Sequence, residues 1–72
     1  MVTLNDIAEY IVIFIASFAS RFSITETQAY NYLRKYDAIK LVHEFYDVMH
    51  TQSFEDMTES IAIYCRRKGG DL

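Results

Sequence analysis

The 72-residue chain contains no proline, and its only glycines are Gly69 and Gly70, beside the C-terminus. That absence limits the fold more than any motif does. A β-rich domain of this size needs turn glycines along its length, and none is present. A chain free of internal breakers instead runs helices joined by short polar turns. With 51% apolar and 24% charged residues it has the balance of a globular rather than a disordered segment. The length gives one domain with one core. The expected class is all-α: a compact bundle of four helices with short turns.

Periodicity places the helices at about 3–22, 26–36, 38–50 and 54–68. In the first, Leu4, Ile7, Ile11, Phe14, Ile15, Phe18 and Phe22 recur at spacings of three and four and form one stripe. Thr3 with Asp6 is a weak capping pair. The second opens at Thr25, with Gln28 at the reciprocal capping-box position, and turns Ala29, Tyr30, Leu33 and Tyr36 inward. The third, N-capped by Asp37, presents Leu41, Val42, Phe45, Val48 and Met49 to the core. The fourth is capped by Ser53 and buries Phe54, Met57, Ile61, Tyr64 and Cys65. Its acidic residues Glu55, Asp56 and Glu59 lie toward the N-terminus and Arg66, Arg67 and Lys68 at the other end, with Gly69 as a left-handed stop.

The first helix carries more apolar surface than one stripe uses. At about 100° per residue, Val12, Ile13 and Ala16 point away from the Ile11–Phe18 face. Either this helix is central and the most buried, or its second face docks on another chain. The candidate partner surface is Tyr10, Val12, Ile13 and Ala16. Six tyrosines, of which Tyr10 and Tyr32 are expected to face solvent, suit core, rim and interface alike.

Chemistry of other kinds is poorly supplied. Cys65 is the only cysteine, so there is no internal disulfide, which fits a reducing, cytoplasmic setting. The acidic start, with Asp6 and Glu9, does not resemble a signal peptide. The apolar run 10–16 falls well short of the roughly 20 residues that cross a bilayer. His43, Asp47 and His50 share a helix face and could touch a metal, but no fourth ligand accompanies them. No serine sits in a strained glycine-rich turn, and no phosphate loop or dinucleotide fingerprint is present. The reading is no enzyme, no cofactor, no metal, no membrane and no small-molecule substrate.

Gln28, Asn31, Arg34 and Lys35 face outward on the second helix, which follows a short turn after another helix. This is the outline of a helix-turn-helix, and it makes a small DNA-binding regulator the alternative function. Against it stands the net charge of −3, with Glu26, Asp37, Glu44 and Asp47 near the few cations of that region.

Three segments resemble a bacterial family of short helical proteins, the domain of unknown function 3791. They are Glu44-Phe45-Tyr46-Asp47-Val48-Met49-His50-Thr51-Gln52-Ser53-Phe54-Glu55-Asp56, Gln28-Ala29-Tyr30-Asn31-Tyr32-Leu33 and Cys65-Arg66-Arg67-Lys68-Gly69-Gly70. The resemblance runs from about Ile7 to Gly70. It implies no established activity, substrate or cofactor. It also implies a companion resembling an ADP-ribosyltransferase, for which a small acidic helical chain would serve as antitoxin, adaptor or regulatory subunit. The function expected is therefore a non-enzymatic protein-interaction module, self-associating or bound to a companion protein.

Overall fold

The computed structural model describes residues 4–72, with side chains from position 5 onward. Thr3, and with it the Thr3–Asp6 cap, lies outside the described residues, as does the Leu4 side chain. The helices are α1 (Leu4–Phe22), α2 (Glu26–Lys35), α3 (Ala38–Glu44), the single turn α4 (Tyr46–Met49) and α5 (Phe54–Arg67), with no strand among the described residues. The all-α bundle expected from the sequence is thus the fold, with the third helical segment divided in two.

Each boundary has a local cause. α1 ends because Ser23 takes a left-handed conformation (φ 55°), so the Ile24 amide donates to the Ala19 carbonyl (3.0 Å) and the Ser23 amide to Ser20 (3.3 Å). These crossed bonds close the last turn and re-aim the chain. The helix axis then turns through 104° into α2. There Thr25 Oγ1 accepts from the Gln28 amide (3.0 Å), while Gln28 Oε1 accepts from the Thr25 amide (2.9 Å), a complete capping box. Ser53 Oγ caps α5 by accepting from the Asp56 amide at 3.0 Å. α5 closes as α1 does: Gly69 is left-handed (φ 106°), its amide donates to Arg66, and the Gly70 amide donates to Cys65 at 2.9 Å.

Asp37 does not cap α3. It sits in the left-handed region (φ 61°) with no side-chain bond to the helix, and its carboxylate instead accepts from Lys68 Nζ at the end of α5, at 3.4 Å. The expected 38–50 helix breaks at Phe45, whose φ of −108° and ψ of 22° depart from helical values. The break turns Tyr46 and Met49 toward α1 and leaves Phe45 and Val48 exposed, against their expected place in the core.

The core is built on Phe14, Phe18, Leu33, Val42 and Cys65, all fully buried, with Ala29, Ala38 and Ala62 allowing close approach of the backbones. Rings at every fourth position of α1 form its spine: Phe14 lies 6.3 Å from Phe18, and Phe18 4.7 Å from Phe22. Tyr32 stacks on Phe18 at 5.9 Å and so turns inward, whereas Tyr30, expected inward, is exposed. α1 packs on α2, α3 and α5, yet it is not enclosed: Val12 is 66% and Ile13 50% exposed. The Cα radius of gyration, 11.3 Å, matches the roughly 11 Å of a well-packed chain of this length. The open face of α1 is therefore not the result of a loose fold.

Candidate interaction face on the first helix

The core stripe of α1 and its outer stripe lie on opposite sides of one cylinder. Phe14 and Phe18 fix the first, so Glu9, Ile13, Ala16 and Ser20 fall on the second, with Val12 and Ser17 at its edges. On the α5 side this stripe opens into a groove of about 460 Å³ between Ile13, Ala16, Ser17 and Ser20 of α1 and Phe54 and Thr58 of α5. On the α2 side, Val12 and Ile15 meet Tyr30 in a second, shallow apolar depression of about 320 Å³. The outside of α1 thus carries Val12 and Ile13 between two depressions, with Glu9, Arg21, Glu26 and Glu55 around them.

Of the four residues proposed for this surface, Val12 and Ile13 are exposed, Ala16 is half-buried on the groove wall, and Tyr10 does not belong to it. Tyr10 is buried and donates from its hydroxyl to the Met49 carbonyl at 3.2 Å. Its ring meets Phe54 at 4.9 Å and Tyr46 edge-on at 5.3 Å. Burial, with a smaller contribution from Tyr46, raises its phenol above the usual range. Sequence reasoning missed Tyr30, Phe54 and Thr58 as contributors, because only the packing of α2 and α5 beside α1 brings them to its outer face.

Thr58 has a peculiarity of its own. It is 2% exposed, and its hydroxyl has no hydrogen-bond partner. Arg21, at the far end of the groove, donates from Nε to Glu59 Oε1 and lies over the Phe22 ring.

The outward face of α2 is as expected, with Gln28, Asn31, Arg34 and Lys35 all exposed. Tyr32 does not join them. Its hydroxyl accepts from the Leu72 amide at 3.1 Å and sits against Gly70, where an added Cβ would fall 2.0 Å from the phenol oxygen.

His43, Asp47 and His50 are exposed, and among the described residues no three metal-ligating side chains are gathered. His50 is engaged locally: its ring stacks on Tyr46 at 4.7 Å, and Nδ1 donates to the Tyr46 carbonyl at 2.8 Å. Cys65 is fully buried. Burial pushes its thiol up to about 11, against a smaller pull downward from Lys68, so at neutral pH it is an unreactive apolar group.

A family described as protein of unknown function (DUF3791) matches residues 5–68. The chain belongs to the DUF3791 family. No curated protein and no solved structure matches it.

In this DUF3791 chain the segments that resembled the family each have a structural role. Within 44–56, Tyr46, Met49 and Phe54 all converge on Tyr10, Thr51 ties its hydroxyl to the Val48 carbonyl (2.7 Å), and Ser53 starts α5. Residues 28–33 supply the Gln28 half of the capping box and the Ala29–Leu33 core face, and 65–70 form the closing turn of α5. None of these segments supplies Val12 or Ile13.

Among the described residues no single helix is long and apolar enough to cross a membrane.

Proposed function

We propose that this DUF3791 protein is a non-enzymatic interaction module, an adaptor or regulatory partner, that binds another polypeptide through the outer face of α1. The observation that carries this reading is the exposure of Val12 (66%) and Ile13 (50%) on a helix whose opposite face is fully packed. Each side chain leaves half or more of its surface in water, at a cost in free energy. Contiguous apolar surface beside a groove, rimmed by charge, is the usual form of a protein-binding site.

The test is a benzophenone amino acid at position 13, with position 40 as control, irradiated in the native host. A discrete, mass-identified protein adduct from position 13 and none from position 40 is expected. Equal adduct patterns from the two positions would refute the reading.

A second reading, a DNA-binding regulator, has one observation in its favour. α1 and α2 are joined by three residues and turn through 104°, within the roughly 90–120° of helix-turn-helix pairs, with Gln28, Asn31, Arg34 and Lys35 outward. The acidic net charge opposes it. It requires salt-dependent binding to duplex DNA, read by fluorescence anisotropy, that weakens in Arg34→Ala and Lys35→Ala. Binding insensitive to both substitutions, or none at all, removes it.

A further inference from the structure

Resting on that reading, we propose that the occupant of the α1 face is a second copy of this chain, packed antiparallel about a two-fold axis between Phe14 and Ile15. The outer stripe is Glu9, Ile13, Ala16 and Ser20, with steps of four, three and four residues. That order reads the same in both directions. Steps of four and three are common to helical stripes, so reversal keeps the positions in register, and an isologous pairing then depends on whether the facing side chains complement one another. Ile13 then stands opposite the second copy's Ala16, and Glu9 opposite its Ser20, with its Arg21 one residue beyond.

Size and charge both select the antiparallel pairing. Ile13 is large and half-exposed, whereas Ala16, Ser17 and Ser20 are small and leave the groove of about 460 Å³ between α1 and α5. An antiparallel copy sets each protruding Ile13 over the other's groove, in the manner of a knob entering a hole. It also brings Glu9 of each stripe to Arg21 of the other, a cation that its own chain pairs with Glu59 and flanks with Glu55 on the groove wall. The bond from Arg21 to Glu59 uses Nε, and the two terminal amino groups of the guanidinium remain to meet a second carboxylate. A parallel pair would instead oppose Glu9 to Glu9, and Ala16 to Ala16 across an unfilled groove.

Area is consistent with a modest dimer. A standard interface takes about 800 Å² from each chain, roughly a sixth of the 4769 Å² surface. The stripe from Glu9 to Ser20 is about 17 Å long and, even with the flanking Phe54 and Tyr30, lies at the small end of the range for specific interfaces.

The decisive experiment is sedimentation equilibrium over a concentration series with wild type, Glu9→Arg, Arg21→Glu and an equimolar mixture of the two variants. Wild type moves from 8.5 kDa toward twice that mass. Each variant alone opposes like charges at both symmetric positions and dimerises about tenfold more weakly. The mixture recovers wild-type association. In a heterodimer the arginine introduced at position 9 of one chain meets the glutamate introduced at position 21 of the other. The unchanged Arg21 and Glu9 meet at the second symmetric position, so both attractions are restored. Glu59→Gln, which breaks the internal pair of Arg21 alone, leaves the dimer mass unchanged and controls for that loss.

A wild type that stays monomeric, variants that dimerise like wild type, or a mixture no better than its components would each overturn the proposal. A monomer that still gives a specific adduct from position 13 overturns the second copy as occupant and leaves the interaction reading standing. A monomer with no such adduct removes both.

Discussion

Replacing Thr58 with valine should make this protein more stable. The Thr58 side chain is 2% exposed, and its hydroxyl meets no acceptor or donor. Threonine and valine share a branched Cβ and nearly equal helix propensity, so the exchange swaps a hydroxyl for a methyl with little change in backbone preference. An unsatisfied buried hydroxyl costs about 1–3 kcal/mol. Some of the groove beside Thr58 is open to water, so the lower half of that range applies, about 1–2 kcal/mol. In a domain of this size each kcal/mol moves the midpoint by roughly 4–8 °C, which gives a rise of about 5–15 °C. The assay is thermal and urea unfolding followed by circular dichroism, at concentrations low enough to keep the chain monomeric. The urea midpoint should rise with the slope unchanged. Thr58→Ser keeps the hydroxyl and loses the methyl, so it should fall below wild type. A neutral or destabilised Thr58→Val would refute the reasoning and mean that the hydroxyl holds a bond, to the preceding helical turn or to water.

Other consequences follow from the chain reversals and the buried thiol. Gly70→Ala places a Cβ 2.0 Å from the Tyr32 hydroxyl and 3.0 Å from the Cys65 carbonyl; displacing Tyr32 breaks its bond to Leu72 and should cost about 1–3 kcal/mol in urea unfolding. Ser23→Gly removes a left-handed penalty of about 1–2 kcal/mol but loosens the unfolded chain by about 0.4–1 kcal/mol, so a net gain near 0.5 kcal/mol is expected in the same assay. Cys65 should resist an aromatic disulfide reagent at pH 8 until denaturant is added. Because its folded pKa, about 11, lies above the unfolded value, the stability it contributes is complete below pH ~8.5 and lost as pH rises through about 11. An unfolding midpoint that showed no loss from this group across pH 9–11 would contradict that assignment.

The local signals in this sequence were legible where one helix decides the outcome. The 7–11–14–18–22 stripe of α1, the Thr25–Gln28 box, the Ser53 cap and the Gly69 stop all depend on residues within a few positions of one another. What was not legible depends on how helices meet. The repeat Leu41, Val42, Phe45, Val48, Met49 is a sound helical stripe, yet tertiary packing breaks it at Phe45 so that Tyr46 and Met49 reach Tyr10. Periodicity cannot register a break that no proline or glycine marks. Tyr10 sits at the border between the two faces of α1, and only the arrival of Tyr46 and Phe54 decides that it is core. Tyr30 and Tyr32 exchanged places for a related reason: the 104° turn after Ser23 sets which side of α2 meets Phe18. For the candidate face, Val12 and Ile13 were readable as surplus apolar residues, but the groove beside them needed Phe54 and Thr58, some forty positions away.

The central claim, that the outer face of α1 holds a second copy and is no part of the core, is tested most directly by Ile13→Asp beside wild type. Light scattering across a concentration series gives the mass, and the melting midpoint at low concentration reports the fold. The account predicts that wild type shifts from 8.5 kDa toward twice that value, while Ile13→Asp stays monomeric and folded, its midpoint lowered only by the loss of the buried half of Ile13. An Ile13→Asp chain that unfolds would place Ile13 in the core, and one that associates as wild type does would remove the interface from this face.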